Sequence, residues 1–416
     1  MTVEFDAFTM PTSISNEKPP TGVSPIEETE RSVFKEQAVG ILQDYLHKTN
    51  KSTKLKIDDS ELNVSQMEIF SATKECLSRG SGKGELHRIG AMAEAIEHLL
   101  IKTESPELFQ VPVEEIKRQR FLVKDKIVQS LIPTEKIPSI KFQTIEDPEA
   151  FHYVPKQLVN PYAQHEDLGE RNNFLQKYST NSGSALGLTL ADSLLHGLNE
   201  LVERHYLSLF YLSLVYPVRK VLWKKYKEKS IIHNNKIVQI ETVFKGKVSV
   251  LFCKTEFNSY FSIAIFHASS RNQHLVAPVG SGSSLSLALA IKRAIDELAQ
   301  VLLLSENEDL EEDLRGLKLL EQFPKLRPIF ELGHDDLERL SPVRGFLEGS
   351  FVLPSPEKQL VYLVKQLKQS GYLPLFRKIL HNEPKISVTK VFVSGFDRFN
   401  LIRAGKIVTS QHLETV

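Results

Sequence analysis

Two stretches of this chain read alike: Gly183–Arg204, GSALGLTLADSLLHGLNELVER, and Gly280–Gln300, GSGSSLSLALAIKRAIDELAQ. They align without a gap, and 17 residues separate Gly183 from Glu200 and Gly280 from Glu297. Three positions after each glutamate stands another polar group, Glu203 in one and Gln300 in the other. A looser third copy precedes them, where Gly80-Ser-Gly-Lys-Gly84 leads into a segment carrying Glu94 and Glu97. Each copy reads as a Gly/Ser-rich loop feeding a helix.

Residues at i and i+3 share one helical face, so each pair of side chains can converge on one point. Mg²⁺ takes oxygen ligands, typically one or two carboxylates together with phosphate oxygens and water. Gly/Ser loops ahead of helices expose N–H groups that can meet phosphate at the positive helix end. Three such helices brought together could hold a nucleoside triphosphate and its metals, with Lys83 and Arg204 offsetting the phosphate charge. The plainer alternative is a pseudo-symmetric scaffold whose carboxylate pairs face solvent. Gly80–Gly84 lacks the spacing of a P-loop, because Gly84 follows Lys83, and no GxGxxG fingerprint is present.

Working outward, the 416 residues hold 52 Lys+Arg and 52 Asp+Glu, so the formal net charge is zero. That balance argues against a partner held by bulk charge, such as nucleic acid or an anionic membrane. Apolar residues make up 41%, enough for a sizeable core. The most apolar long stretch, 206–218, is about half of the roughly 20 residues a membrane-spanning helix needs. No secretory signal opens the chain, and the reading is a cytoplasmic protein. Cys76 and Cys253 are too far apart in sequence for a CxxC site and read as buried apolar residues. The histidines form no HExxH pair; His196 and His205 read as packed or exposed.

Residues 1–30 are Pro-, Ser- and Glu-rich and read as a flexible tail. A first helix is expected over 30–47, within a region 31–79 that leads into a domain spanning 80–416. Helices are expected over 85–103, 191–216, 285–304 and 359–369. Short apolar runs at 55–57, 121–123, 137–142 and 386–394 read as strands. An antiparallel meander is expected over 231–244, 247–253 and 259–267. The acidic run 306–313 reads as a solvated loop. Helices and antiparallel strands mix without regular βαβ alternation, so the class is α+β.

At these residues the sequence resembles the YcaO family. Ser81-Gly-Lys-Gly84 with Ala93-Glu-Ala-Ile-Glu97 resembles its Gly-Lys-Gly and Glu-x-x-Glu block. Gly183-Ser-Ala-Leu-Gly187 with Glu200-Leu-Val-Glu-Arg204 resembles its Asn-Gly-x-Ala-x-Gly loop and Glu-x-x-Glu-Arg helix. Arg293 with Glu297-Leu-Ala-Gln300 resembles its Arg-Ala-x-x-Glu-x-x-Gln helix, and Val391-Phe-Val-Ser-Gly-Phe-Asp397 its C-terminal Val-Pro-Gly-Leu-Glu strand. The blocks run in family order from about residue 80 to 405. His98 stands where the first block often has Arg, Asn181 is one place early, and Ser394 and Phe396 replace Pro and Leu.

The resemblance implies a YcaO-type fold with antiparallel sheets and three nucleotide-site helices. It also implies an enzyme that uses ATP and Mg²⁺ to activate backbone amides of a ribosomally made precursor peptide. A nucleophile attacks the amide carbonyl, the oxyanion is phosphorylated, and phosphate leaves. With Cys, Ser or Thr as nucleophile the product is a thiazoline or oxazoline; with sulfide it is a thioamide. Carried over, Glu94, Glu97, Glu200, Glu203 and Glu297 would hold Mg²⁺. Lys83, Ser182, Ser184, Arg204, Arg293 and Gln300 would meet the nucleotide. The chain ends His412-Leu-Glu-Thr-Val416 without the proline-rich tail common in azoline-forming members, which bears on azoline formation and not on ATP use. Too few residues precede 80 for a fused leader-binding domain. A separate leader-peptide-binding partner protein is therefore expected, beside a flavin-dependent dehydrogenase, with the chain itself a homodimer.

Overall fold

The structure is a computed structural model that describes residues 30–31, 35–133, 136–147, 149–162, 170–216, 221–226, 231–269, 276–304, 307–340, 343–345, 355–380, 383 and 385–412. The expected tail, up to residue 29, lies outside them. In chain order the main elements begin with α1 (Lys35–Lys48), β1 (Ser52–Asp59), β2 (Val64–Phe70), β3 (Cys76–Lys83) and α2 (His87–Thr103). Then come β4 (Phe109–Pro112), β5 (Lys136–Thr144), β6 (Phe151–Pro155), β7 (Ser184–Gly187) and α3 (Leu190–Val215). The next are β8 (Lys224–Tyr226), α4 (Ile231–Phe244), β9 (Gly246–Lys254), β10 (Tyr260–Ala268), β11 (Val279–Ser284) and α5 (Leu287–Leu304). The last are α6 (Asn307–Gln322), β12 (Val343–Gly345), α7 (Pro356–Gln369), β13 (Pro374–Lys378) and β14 (Ser387–Val393).

The strands form three sheets: β1-β2-β3; β11-β10-β9-β8-β12; and β4-β5-β13-β14-β7 with β6 also paired to β5. All pairings are antiparallel except β8 with β12. The α+β class and the antiparallel sheets therefore stand as expected. Each sheet ends on one strand of the repeat: β3, β7 or β11. The helix that follows each of these strands packs back along it.

The Gly/Ser segments are thus not loops but edge strands. Glycine is needed because the helix lies directly on the strand. A Cβ on Gly82 would sit 1.7 Å from the His87 carbonyl oxygen of α2, and one on Gly280 would sit 2.2 Å from the Ala294 carbonyl oxygen of α5. Small serines fill the remaining positions for the same reason.

Three other expectations change. Residues 231–244 are α4 rather than a strand. Their β-branched residues recur at helical spacing, with Ile240 fully buried and Ile237 and Phe244 beside it in one cluster, so packing overrides local strand preference. The acidic run begins α6, where Glu311 and Arg315 pair at i,i+4. Residues 121–123 form turns around buried Leu122. Cys253 is buried as expected, whereas Cys76 is exposed.

The largest core cluster surrounds α3, whose Leu194, Leu198, Val202 and Phe210 are at most 1% exposed. Each such side chain contributes roughly 1.5–3 kcal/mol by burial. Thr189 caps α3 by accepting from the Asp192 N–H at 3.1 Å. Among the described residues no helix is long and apolar enough to cross a membrane.

Candidate functional site

Edge strands leave N–H groups unpaired on one side. Here the carboxylates of α2, α3 and α5 take them up. Glu94 accepts from the Ser81 N–H of β3. Glu200 accepts from the Gly183 N–H at 3.0 Å. Glu297 accepts from the Ser281 N–H of β11. The second glutamate of a pair reaches the neighbouring unit instead. Glu97 accepts from the Leu186 N–H of β7 at 2.9 Å, and Glu203 accepts from the Ser281 hydroxyl at 2.7 Å. The three helices are thereby tied into one ring of carboxylates.

Two cations stand among them. Lys83 Nζ is 3.0 Å from Glu297. Arg204 lies 3.5 Å from Glu203 and 3.9 Å from both Glu200 and Glu297. They divide the ring unevenly. Burial works to raise Glu297, but Lys83 and Arg204 overcome it and hold this carboxyl below its usual value. Glu203 is raised by burial and by the charge of Glu297. Burial, then Glu200 and Glu94, push Glu97 well above the usual carboxylate range. Glu94 is raised by burial even though His98 and Lys83 oppose it. On the Glu94–Glu97–Glu200 side, His98, Lys83, Lys390 and the 3.9 Å contact of Arg204 with Glu200 offset the carboxylates without restoring Glu94 and Glu97 to their usual pKa, a crowding of carboxylates that suits a divalent cation. No three acidic, imidazole or thiol groups among the described residues converge closely enough to form a complete metal cage. Mg²⁺ does not require one, since phosphate and water complete its shell.

The remaining expected residues are placed unevenly. Gln300 is half-buried, one turn beyond Glu297 on α5. The Ser182 hydroxyl accepts from Thr180 at 2.9 Å. Ser184 is only 3% exposed, and its buried hydroxyl has no hydrogen-bond partner, so it is not brought to the site surface. Arg293 is already engaged: it donates to the Ser283 carbonyl at 2.8 Å and to Glu30 at 2.5 Å. Glu30 is buried and also accepts from the Ser284 hydroxyl at 2.6 Å. A phosphate at Arg293 would have to replace that carboxylate. Glu30→Gln is expected to lower the unfolding free energy by about 2 kcal/mol, as for a buried charged hydrogen bond. Urea titration checks this, and an unchanged midpoint would mean the pair contributes nothing in solution.

Two residues near the site, Lys390 and Glu30, escaped the sequence reading, and a third, His196, reads from sequence only as packed or exposed. His196 stands 13 residues after Gly183, as Arg293 does after Gly280, so the alignment itself pointed to it. It is exposed, and desolvation, then the charges of Arg31, Arg293 and Lys83, keep its pKa well below the usual imidazole value. Lys390 is 3% exposed on β14 and donates to the carbonyls of Thr180 and Ser182 at 3.1 and 3.0 Å. Burial, with help from Arg398 and Arg377, lowers its pKa to about 7 against the pull of Glu200 and Glu97. A lone lysine in the apolar run SVTKVFV was its sequence signal. Glu30 had none.

The model of the YcaO cyclodehydratase family, described as ATP- and Mg²⁺-binding, matches residues 74–397. A comparison with curated proteins gives no match. Among solved structures, a heterocyclase in complex with substrate and cofactor is 16% identical with a TM-score of 0.64, over 92% of this chain and 55% of that one. YcaO from Methanopyrus kandleri, bound with AMPPCP and Mg²⁺, is 16% identical with a TM-score of 0.62, over 90% of this chain and 94% of that one. A chain of the E. coli microcin synthetase McbBCD complex is 15% identical with a TM-score of 0.55, over 85% of this chain and 95% of that one. At such identities the likeness is one of fold, and the chain spans about half the length of the heterocyclase.

Proposed function

The chain belongs to the YcaO family, and from that premise we propose that it activates backbone amides of a ribosomally made precursor peptide. In this reading it cyclises Cys, Ser or Thr onto the preceding carbonyl to give thiazoline or oxazoline. The family is ATP- and Mg²⁺-binding, and ATP and Mg²⁺ are its cofactors. The observation that carries the reading is the carboxylate ring: Glu94, Glu97, Glu200, Glu203 and Glu297 on three helices, with Lys83 and Arg204 standing among them.

When bound, ATP with Mg²⁺ would supply the phosphoryl group that turns an amide oxygen into a leaving phosphate. The chain's own part is to position groups and neutralise charge. Glu94, Glu97 and Glu200 would hold metal where the carboxylates crowd. Lys83 and Arg204, now spent on Glu297 and Glu203, would turn to phosphate oxygens as metal takes over those carboxylates. The Glu97 carboxylate, anchored on the Leu186 N–H, is fixed before any ligand arrives and loses little entropy on binding. Ser182 and Gln300 would contact polar parts of the nucleotide. The precursor peptide, a separate leader-peptide-binding partner protein, a flavin-dependent dehydrogenase and a homodimeric state belong to the same proposal. A fold shared with a chain of the microcin synthetase complex favours a multi-protein setting.

The test is calorimetric titration of ATP into the wild type and Glu203→Gln, with and without Mg²⁺. Magnesium-dependent binding that weakens at least about tenfold in the variant is the expected result, equivalent to about 1.4 kcal/mol. Wild-type binding that ignores both Mg²⁺ and the substitution would sink the metal-carboxylate reading.

A further inference from the structure

The carboxylate ring does not use up the cations around it. An α-helix turns about 100° per residue, so Leu201 and Arg204 leave α3 on one flank of Glu200 and Glu203 on the other. Glu203 faces β11, where it takes the Ser281 hydroxyl. Leu201 and Arg204 face a separate cleft against β14 and the 3-10 helix Phe399–Ala404. The polar lining of this cleft is Thr180, Ser182, Arg204, Lys390, Asp397, Arg398 and Asn400.

Three of those seven are basic side chains and one is a carboxylate, and the carboxylate is committed elsewhere. Asp397 accepts from the N–H groups of Phe399 at 2.9 Å and Gln411 at 3.1 Å, and from the Ser410 hydroxyl. The cations have found only neutral partners there. Lys390 spends two of its three N–H bonds on the carbonyls of Thr180 and Ser182. Arg398 donates to the carbonyls of Leu158 at 2.9 Å and Tyr178 at 2.6 Å. Carbonyl oxygens satisfy donors but do not cancel charge, so Lys390 and Arg398 have no carboxylate in hydrogen-bond contact, and Glu200, Glu97 and Asp125 act on them only from a distance.

We propose that this cleft is a second oxyanion site, distinct from the seat of the nucleotide's own phosphates, and that its ligand is inorganic phosphate. Donors from three separate elements (α3, β14 and the segment entering the 3-10 helix) suit a tetrahedral oxyanion better than a planar carboxylate with two oxygens. Arg204 and Ser182 belong to both sites, which places the cleft beside the position where phosphate would be released. In that respect the inference rests on the ATP-dependent reading above.

The experiment titrates sodium phosphate into the full chain by calorimetry, first alone and then with AMPPCP and Mg²⁺ at saturation. The variant is Asn400→Asp. The Asn400 side-chain oxygen accepts from the Ser208 hydroxyl at 2.9 Å, and aspartate keeps that acceptor while adding a negative charge to the cleft. The expected result is phosphate binding that survives AMPPCP, and that Asn400→Asp weakens at least about tenfold through charge repulsion with AMPPCP affinity within about twofold. Lys390→Gln, which retains a donor towards Thr180 and Ser182, is expected to lose phosphate in the same way and stands in if Asn400→Asp does not fold. Competition between phosphate and AMPPCP would overturn the proposal by making the cleft part of the nucleotide's phosphate seat. Phosphate binding indifferent to both variants, or AMPPCP binding with no phosphate binding, would also overturn it. Failure of AMPPCP itself to bind would strike the nucleotide reading alone, because the phosphate titration into the ligand-free protein still decides the cleft.

Discussion

Arg204→Met is expected to lower the unfolding free energy by about 3 kcal/mol at pH 8 and to abolish magnesium-dependent ATP binding. Methionine retains much of the apolar stem, so the loss is mainly one of charge. Arg204 faces Glu200, Glu203 and Glu297, and without it Lys83 alone opposes them on that side. Breaking a buried ion pair from one partner typically costs about 3–5 kcal/mol, and the 31% exposure of the Arg204 side chain places this case at the low end.

The pH dependence tests the cause. Glu203 already has a raised pKa in the folded protein, from burial and then from Glu297. A carboxyl whose folded pKa lies above its unfolded value destabilises the fold once pH exceeds the unfolded pKa, and does so more as pH rises to the folded one. Removing Arg204 raises Glu203 further and takes away part of what holds Glu297 below its usual value, so the difference between variant and wild type is largest in alkaline solution. It is expected to shrink as pH approaches about 5, where carboxylates begin to protonate. Urea unfolding of both proteins at the two pH values measures it. A difference independent of pH would mean that Arg204 acts by packing rather than by charge.

Much of the ring could be read from residue spacing. The 17-residue interval from Gly183 to Glu200 recurs from Gly280 to Glu297 because two strand–helix units are built to one length. The first unit looked looser for a geometric reason. Gly80 packs on Ala91 and Ala95, whereas Gly280 packs on Ala294 and Leu298, so the connection in the first unit is three residues shorter. With that allowance Glu94 matches Glu297 and Glu97 matches Gln300. The nature of the Gly/Ser segments was not legible, because local composition cannot tell a phosphate loop from a strand pressed under a helix. Residues 231–244 were misread because β-branched content says less than which side chains find the core. Glu30, Lys390 and the Arg398 cleft depend on contacts between residues more than a hundred positions apart, and no periodicity in one chain encodes those.

Gly82→Ala carries the second large expected effect, and Gly40→Ala supplies its contrast. A Cβ on Gly82 would lie 1.7 Å from the His87 oxygen and 2.5 Å from the Ala91 nitrogen, both backbone atoms. No rotamer can relieve a backbone clash, so α2 must move away from β3 as a body. That motion breaks the Ser81 N–H bond to Glu94, drags Glu97 from the Leu186 N–H, and opens the cluster that contains Ala91, Ala95 and Ile96. Overpacking costs about 1–3 kcal/mol where side chains can yield, so a loss above about 3 kcal/mol is expected here, with magnesium-dependent ATP binding lost as well. Gly40 lies on α1 with nothing within 4 Å of its Cβ position. Alanine there is expected to stabilise the protein by about 0.5–1 kcal/mol through helix propensity. Thermal and urea unfolding of the two variants decide the matter. A Gly82→Ala protein within about 0.5 kcal/mol of wild type, the range of an ordinary surface change, would show that α2 does not rest on its strand as described. The carboxylates of the first unit would then lack the rigid mount on which the site's preorganisation depends.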